Sequence, residues 1–260
     1  MSEQTKKPNG IVLLVPSNGR NVCIEWAAAL ASFSYPVGMN HFLYMSKADP
    51  DGGHTRAEQR EMLAEMAVKI NSEYMMWIDD DTVSPASTIQ ELFYILAQNP
   101  KAAIAGGIYC TKSHPAEPIV FLELGGGPYW LWTMGEVFKC AGLGTGCMMV
   151  RTSVLKNIPK PWFQDTSIAI AGETEVRGGE TINVAARTGT DDLYFCKKVA
   201  EAGYDIIAHG GILPVHVDYS TTPNTPYKLP KNSYPVTSYQ EKLDALNATL
   251  PADQKKVLLP

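Results

Sequence analysis

The chain has 260 residues, 45% hydrophobic and 19% charged, enough for one large domain or two small ones around a sizeable core. A formal net charge of −5 and an isoelectric point near 5.6 argue against a generally basic, nucleic-acid-coating surface. No stretch reaches the roughly 18 apolar residues of a membrane span, and the five cysteines (Cys23, Cys110, Cys140, Cys147, Cys196) are odd in number with no CxxC pair, which indicates reduced, mostly buried thiols.

Met1 to Gly10 is polar and lysine-bearing, and the apolar run after it is too short for a secretory core, so the expectation is a cytoplasmic protein. Ile11 to Val15 is a continuous β-type run stopped by Pro16, and Ser17-Asn18-Gly19-Arg20 is turn chemistry. Val22 to Phe33 reads as a helix and His41 to Met45 as a strand. From Thr55 to Ile70 the residues Met62, Leu63, Met66, Ala67 and Ile70 recur at helical spacing. Tyr74 to Ile78 is a third strand that runs straight into Asp79-Asp80-Asp81. Ser84-Pro85 begins a helix with Ile89, Leu92, Phe93 and Leu96 on one face, and Ala102 to Tyr109 makes a fourth strand. Strands then recur at Ile119 to Leu122, Val137 to Cys140 and Cys147 to Val150 between glycine-rich turns. Trp162 to Thr188 is irregular, with the length of a functional loop or lid. Thr190 is placed to cap a helix from Asp191 to Ala202 that Gly203 closes; Asp205 to Ala208 and Leu213 to Val217 are final strands. The alternation implies an α/β fold with a mostly parallel sheet, helices on both faces, and a smaller mixed-sheet region. Ligands of such sheets bind beyond the carboxyl ends of the strands, where both the Pro16 to Arg20 turn and the acidic triplet fall.

Three adjacent carboxylates at the end of an apolar strand repel one another and call for a counter-charge. Hard oxygen ligands suit Mg²⁺ or Mn²⁺, and Mg²⁺ takes one or two protein carboxylates together with substrate phosphates. On an extended chain Asp79 and Asp81 would share a side and Asp80 would point away.

The string Met76-Trp77-Ile78-Asp79-Asp80-Asp81-Thr82 resembles the strand ending in D-x-D of the GT-A glycosyltransferases, Rossmann-like enzymes that use nucleotide-sugar donors. The resemblance spans roughly residues 11 to 219. It implies that Asp79 and Asp80 contact the donor ribose or sugar and that Asp79 and Asp81 hold the metal, joined by His216 of Pro214-Val215-His216-Val217. Pro16, Ser17, Asn18 and Arg20 fall where that family's first strand meets the nucleobase. Arg60, rather than Arg56, matches a donor-approaching arginine, although Glu61 replaces its usual asparagine neighbour. Gly144, Thr145 and Gly146 resemble the small-residue segment on which backbone approaches the donor sugar, and Trp162-Phe163 the aromatic step on the acceptor side. Thr190-Asp191-Asp192-Leu193-Tyr194-Phe195-Cys196 resembles the E-D block that carries the catalytic base of inverting members. The implied base is Asp192, with Asp191 in place of the commoner glutamate. The implied domain spans residues 1–220, with a nucleotide-sugar half over 11–110 and an acceptor and metal half over 111–220. Residues 221–260 are expected to form a proline-rich tail with a short helix near Glu241 to Leu246. The implied partners are Mn²⁺ or Mg²⁺, a nucleotide-diphosphate sugar, and an acceptor that the sequence leaves open among glycan, small molecule, protein and modified nucleic-acid base.

Other readings share these residues. Asp79, Asp81 and Val83 satisfy the D-x-D-x-V motif of a haloacid-dehalogenase-type phosphatase, although two strand-helix units precede it and the expected lysine and G-D-x-x-x-D block are missing. A nucleotidyltransferase would carry a longer glycine-rich, lysine-bearing loop after the first strand than Ser17-Asn18-Gly19. A GT-A-like module that only binds nucleotide or glycan is the non-enzymatic alternative. Locally, Asp191 and Asp192 could simply complement a helix dipole at about 0.3–1 kcal/mol each, His216 could be a structural histidine, Gly144 and Gly146 a plain β-turn, and Trp130, Trp132 and Trp162 core residues.

Overall fold

Ile11–Val15 (β1) and Tyr74–Ile78 (β3) are apolar runs with no polar face, as is Cys147–Arg151 (β9) up to its final arginine, so each must be covered on both sides. The computed structural model describes residues 10–17, 19, 21–46, 54–112, 116–165, 190–219 and 248, and the backbone of 174–177 and 180–183. In chain order the other elements are α1 (Ile24–Ser32), β2 (His41–Met45), α2 (Arg56–Lys69), β4 (Thr82–Val83), α3 (Thr88–Gln98) and β5 (Ala102–Gly107). Then come β6 (Val120–Phe121), β7 (Val137–Cys140), β8 (Gly142–Leu143), β10 (Thr174–Arg177), β11 (Glu180–Asn183), α4 (Asp191–Glu201), β12 (Asp205–His209) and β13 (Val215–His216), with a 3-10 turn at Thr152–Lys156 after β9.

One seven-stranded sheet, ordered β2-β1-β3-β9-β5-β12-β7, forms the centre. Strands β1, β2 and β3 pair in parallel, as do β5 and β12; β9 runs against both β3 and β5, and β7 against β12. Side chains alternate across it as the pleat requires. Val12, Leu14, Met75, Trp77, Met148 and Val150 face a core shared with Leu63 and Ala67 of α2 and Phe195 and Val199 of α4. Ile11, Leu13, Met76, Ile78, Cys147 and Met149 face the opposite core, built on Ile89, Leu92 and Leu96 of α3. Helices thus cover both faces, as the strand-helix alternation predicts.

Three local expectations are corrected. The helix after the triplet begins at Thr88, not at Pro85. Thr82 and Val83 are instead drawn into pairing with His216 and Val215, and Pro85 to Thr88 closes a turn by Thr88 N–H donating to Pro85 O at 3.1 Å. Helix α2 does not bury Met62, which is 55% exposed; its inner face is Arg60, Leu63, Ala64 and Ala67. A capping box between Thr55 and Glu58 starts this helix and fixes its rotation, so Arg56 faces solvent and Arg60 does not. Thr190 takes the N-cap position of α4 without a side-chain bond to the helix backbone, because its hydroxyl donates to the Asp192 carboxylate.

Trp130, Trp132 and Trp162 are buried core residues. Phe163, expected at an acceptor step, is also buried: it stacks on Phe195 and meets Trp77 edge-on. The loop expected over Trp162 to Thr188 contains a paired hairpin, β10 with β11, and otherwise lies largely outside the described residues, as does the expected helix near Glu241 to Leu246. All five cysteines are free, and burial pushes the thiols of Cys110 and Cys140 up to about 12 and that of Cys147 to about 11. The thiols of Cys110, Cys140 and Cys147 are inert packing groups at neutral pH. Among the described residues no helix is long and apolar enough to cross a membrane.

Candidate functional site

At the carboxyl end of β3 the chain does not continue extended. Asp80 and Asp81 form a tight turn, closed by Thr82 N–H donating to Asp79 O at 3.0 Å, so the alternation expected for Asp79 and Asp81 does not apply. The turn is pinned through its carbonyls. Trp26 Nε1 donates to Asp79 O at 2.9 Å, Tyr219 Oη to Asp80 O at 3.4 Å, and Val217 N to Asp81 O at 2.6 Å. Because α1, β3 and the segment after β13 all hold this backbone, the carboxylates are preorganised. All three aspartates are buried, at 9%, 2% and 4% exposure.

Asp79 and Asp81 have different partners. Arg60 Nη2 reaches Asp79 Oδ1 at 2.9 Å and Oδ2 at 3.1 Å, while its Nη1 donates to Asp191 Oδ2. Arg60 is 2% exposed; burial works against its charge, but Asp79, Asp191 and Asp192 together hold its pKa well above the ordinary arginine value. The guanidinium fork thus ties the triplet on β3 to the first turn of α4. Asp191, expected from sequence beside the base, is a buried partner of Arg60. Glu61, next to Arg60, serves a different segment. Its Oε2 accepts from Trp162 N at 2.8 Å and Phe163 N at 3.0 Å, anchoring the loop after the 3-10 turn.

Asp81 faces the other way. Lys112 Nζ lies 2.7 Å from its Oδ2 and His216 Nε2 lies 3.4 Å from its Oδ1. Burial would raise the Asp81 pKa, yet His216 and Lys112 hold it well below the usual carboxylate range. The β4–β13 register, His216 opposite Thr82, is what brings this histidine to the triplet. His216 Nδ1 is 2.9 Å from Cys110 O, and a carbonyl can only accept, so Nδ1 carries the proton. Nε2 is therefore left to face the Asp81 carboxylate.

Asp81 and His216 are two donors of the kinds that divalent metals take. A histidine that ligates through one nitrogen usually donates its other N–H to a carbonyl or carboxylate, as His216 does. Ligand bonds of about 2.1 Å put neighbouring donor atoms about 3.0–3.4 Å apart, which matches the Asp81–His216 spacing of 3.4 Å. Asp79, expected as a ligand, is held by Arg60, and among the described residues no three His, Cys, Asp or Glu side chains form a ligand cluster. A cation here would complete its shell with groups from the substrate.

Asp192, partly buried at the start of α4, accepts from Leu193 N at 2.8 Å and from the Thr190 hydroxyl. Burial raises its pKa to about 6; Arg60 opposes the shift, while Asp191 and Asp79 add to it. Such a value suits a base that works near neutral pH.

At the end of β1, Ser17 N–H donates to Ser46 Oγ at 2.7 Å and Ser46 Oγ donates to Gln59 Oε1 at 3.1 Å, joining the ends of β1, β2 and α2 below Pro16. Asn18 and Arg20 lie outside the described residues. Gly144, Thr145 and Gly146 pack inward. A Cβ on Gly144 would stand 2.4 Å from Tyr109 Oη, and one on Gly146 would stand 2.7 Å from that atom and 2.8 Å from Thr82 Oγ1. Gly146 N also donates to Tyr109 Oη at 2.9 Å, and the Tyr109 ring meets the His216 ring edge-on with centroids 5.3 Å apart. The glycines here make room for Tyr109, which in turn backs the histidine. Gly146→Ala is accordingly expected to cost about 1–3 kcal/mol, read as a lowered urea midpoint with an unchanged m-value. An unchanged midpoint would mean that Tyr109 gives way freely.

Tyr109, Lys112 and the Cys110 carbonyl were not singled out from sequence. Their signal was only position: they follow β5, another strand whose carboxyl end meets the same crevice.

No protein-family model matches this sequence, and no curated protein is similar to it in sequence. Among solved structures, A197 from STIV is similar over 86% of this chain and 96% of its own, with a TM-score of 0.54 and 16% identity. GalNAc-T7, solved with UDP, GalNAc and Mn²⁺, matches 83% of this chain with a TM-score of 0.49 and 6% identity; the match spans 44% of that chain. The chain has a mixed α/β, GT-A-like Rossmann fold.

Proposed function

We propose that the chain is a glycosyltransferase that moves a sugar from a nucleotide-diphosphate-sugar donor to an acceptor hydroxyl, assisted by Mn²⁺ or Mg²⁺. The observation that carries this reading is the Asp81–His216 pair, 3.4 Å apart at the carboxyl end of β3, with the histidine tautomer fixed by Cys110 O. When bound, the cation supplies charge for the diphosphate as it leaves. Asp81 and His216 would hold it. Asp79, oriented by Arg60, and Asp80 are assigned to the donor ribose or sugar, and Pro16, Ser17, Asn18 and Arg20 to the nucleobase. Gly144, Thr145 and Gly146 are assigned to close approach of the donor sugar, with Gly144 and Gly146 packed on Tyr109. Asp192 removes the proton from the acceptor hydroxyl, and Asp191 keeps Arg60 aligned between the two halves. Against the phosphatase reading, both oxygens of Asp79 accept from Arg60, so the carboxylate that would attack phosphorus is held in an ion pair.

Incubation with a panel of nucleotide sugars, with and without Mn²⁺, tests the proposal. The expected result is that one donor raises the melting temperature in Mn²⁺ and slowly releases nucleoside diphosphate. Asp81→Asn should remove the metal dependence. Phosphate release from a phosphomonoester would instead establish the phosphatase, and binding without turnover the binding module.

A further inference from the structure

Lys112 Nζ lies 2.7 Å from Asp81 Oδ2, on the same carboxylate whose Oδ1 faces His216. A divalent cation and an ammonium on one carboxylate would repel each other strongly, because a buried setting screens little of the field between them. The two sides differ in what they lose on separation. The Asp81 side chain is 6% exposed and its backbone is pinned, whereas the Lys112 side chain is 30% exposed on a flexible four-carbon stem. The ammonium can therefore turn to water while the carboxylate stays in place. We infer that Lys112 is a tethered counter-ion that neutralises Asp81 in the metal-free protein and that an entering divalent cation must displace it. The inference rests on the metal site proposed above. It implies that the protein alone holds Mn²⁺ weakly, with the lysine as the reason.

Mn²⁺ titrations of the full chain, followed by loss of the free-ion electron paramagnetic resonance signal, test this on wild type, Lys112→Met, Lys112→Arg and Asp81→Asn. Circular dichroism melts confirm that each variant is folded. Lys112→Met, which keeps the stem and removes the charge, is expected to bind Mn²⁺ about fivefold more tightly than wild type, roughly the effect of one displaced ion pair. Lys112→Arg should bind as weakly as wild type, and Asp81→Asn should lose binding. Equal affinities for wild type and Lys112→Met would overturn the counter-ion role and leave the metal site standing. Absence of binding in both, or full binding in Asp81→Asn, would overturn the metal site and the counter-ion role together.

Discussion

Arg60→Met is expected to destabilise the protein by about 3–5 kcal/mol, the usual cost of removing one partner from a buried ion pair. Methionine keeps most of the stem volume, so the loss reports the charge. Arg60 is 2% exposed and serves Asp79 on β3 and Asp191 on α4 together, both themselves buried. Without it two carboxylates are left facing each other in a poorly solvated space. The check is urea denaturation at pH 7, read as a fall in the midpoint. Arg60→Lys should recover only part of the loss, since an ammonium lacks the fork that reaches both acids. Adding Asp79→Asn and Asp191→Asn to Arg60→Met removes the orphaned charges and should return much of the stability. A cost below about 1 kcal/mol for Arg60→Met would mean that the pairs behave as solvent-exposed ones.

The same arginine marks how far the sequence could be read. Period and patterning located every strand of the central sheet and each described helix to within a few residues, because strands buried on both faces need unbroken apolar runs such as Ile11–Val15 and Tyr74–Ile78. Strand direction was less legible. β9 enters between β3 and β5 running against both, and nothing in Cys147 to Arg151 distinguishes that from a parallel strand. At the site, the acidic triplet was visible because three carboxylates after a buried strand conflict with ordinary burial. Their division of labour was not, since it depends on a turn at Asp80-Asp81 and on partners far along the chain. Arg60 and Asp191 are separated by 131 positions and Lys112 and Asp81 by 31, and pairings at such distances leave no periodicity to read. Gly144 and Gly146 sit against the Tyr109 hydroxyl of the chain itself, a contact that no spacing in the sequence announces.

Asp192→Asn is expected to lower the transfer rate by about 10²–10⁴-fold, the usual worth of a positioned general base, while leaving the fold at least as stable. Both halves follow from one feature. Burial raises the Asp192 pKa from 3.8 to about 6, so the folded protein binds this proton more tightly than the unfolded chain does. Ionising the group therefore counts against the fold: its unfavourable contribution is absent below about pH 3.8, grows as pH rises towards 6, and is fully present above it. Asparagine can still accept from Leu193 N at the start of α4, and it is never ionised. Above pH 6 the variant thus sheds a cost without losing its helix-start bond. In the wild type, kcat/KM for the identified donor should rise with pH through about 6 and level off, because only the ionised carboxylate can take the acceptor proton. Asp192→Asn should flatten that limb. If the variant keeps wild-type rates with the same pH profile, the base lies elsewhere, or the reaction retains configuration and needs no base at this position. If it loses both activity and several kcal/mol of stability, Asp192 is a structural cap of α4.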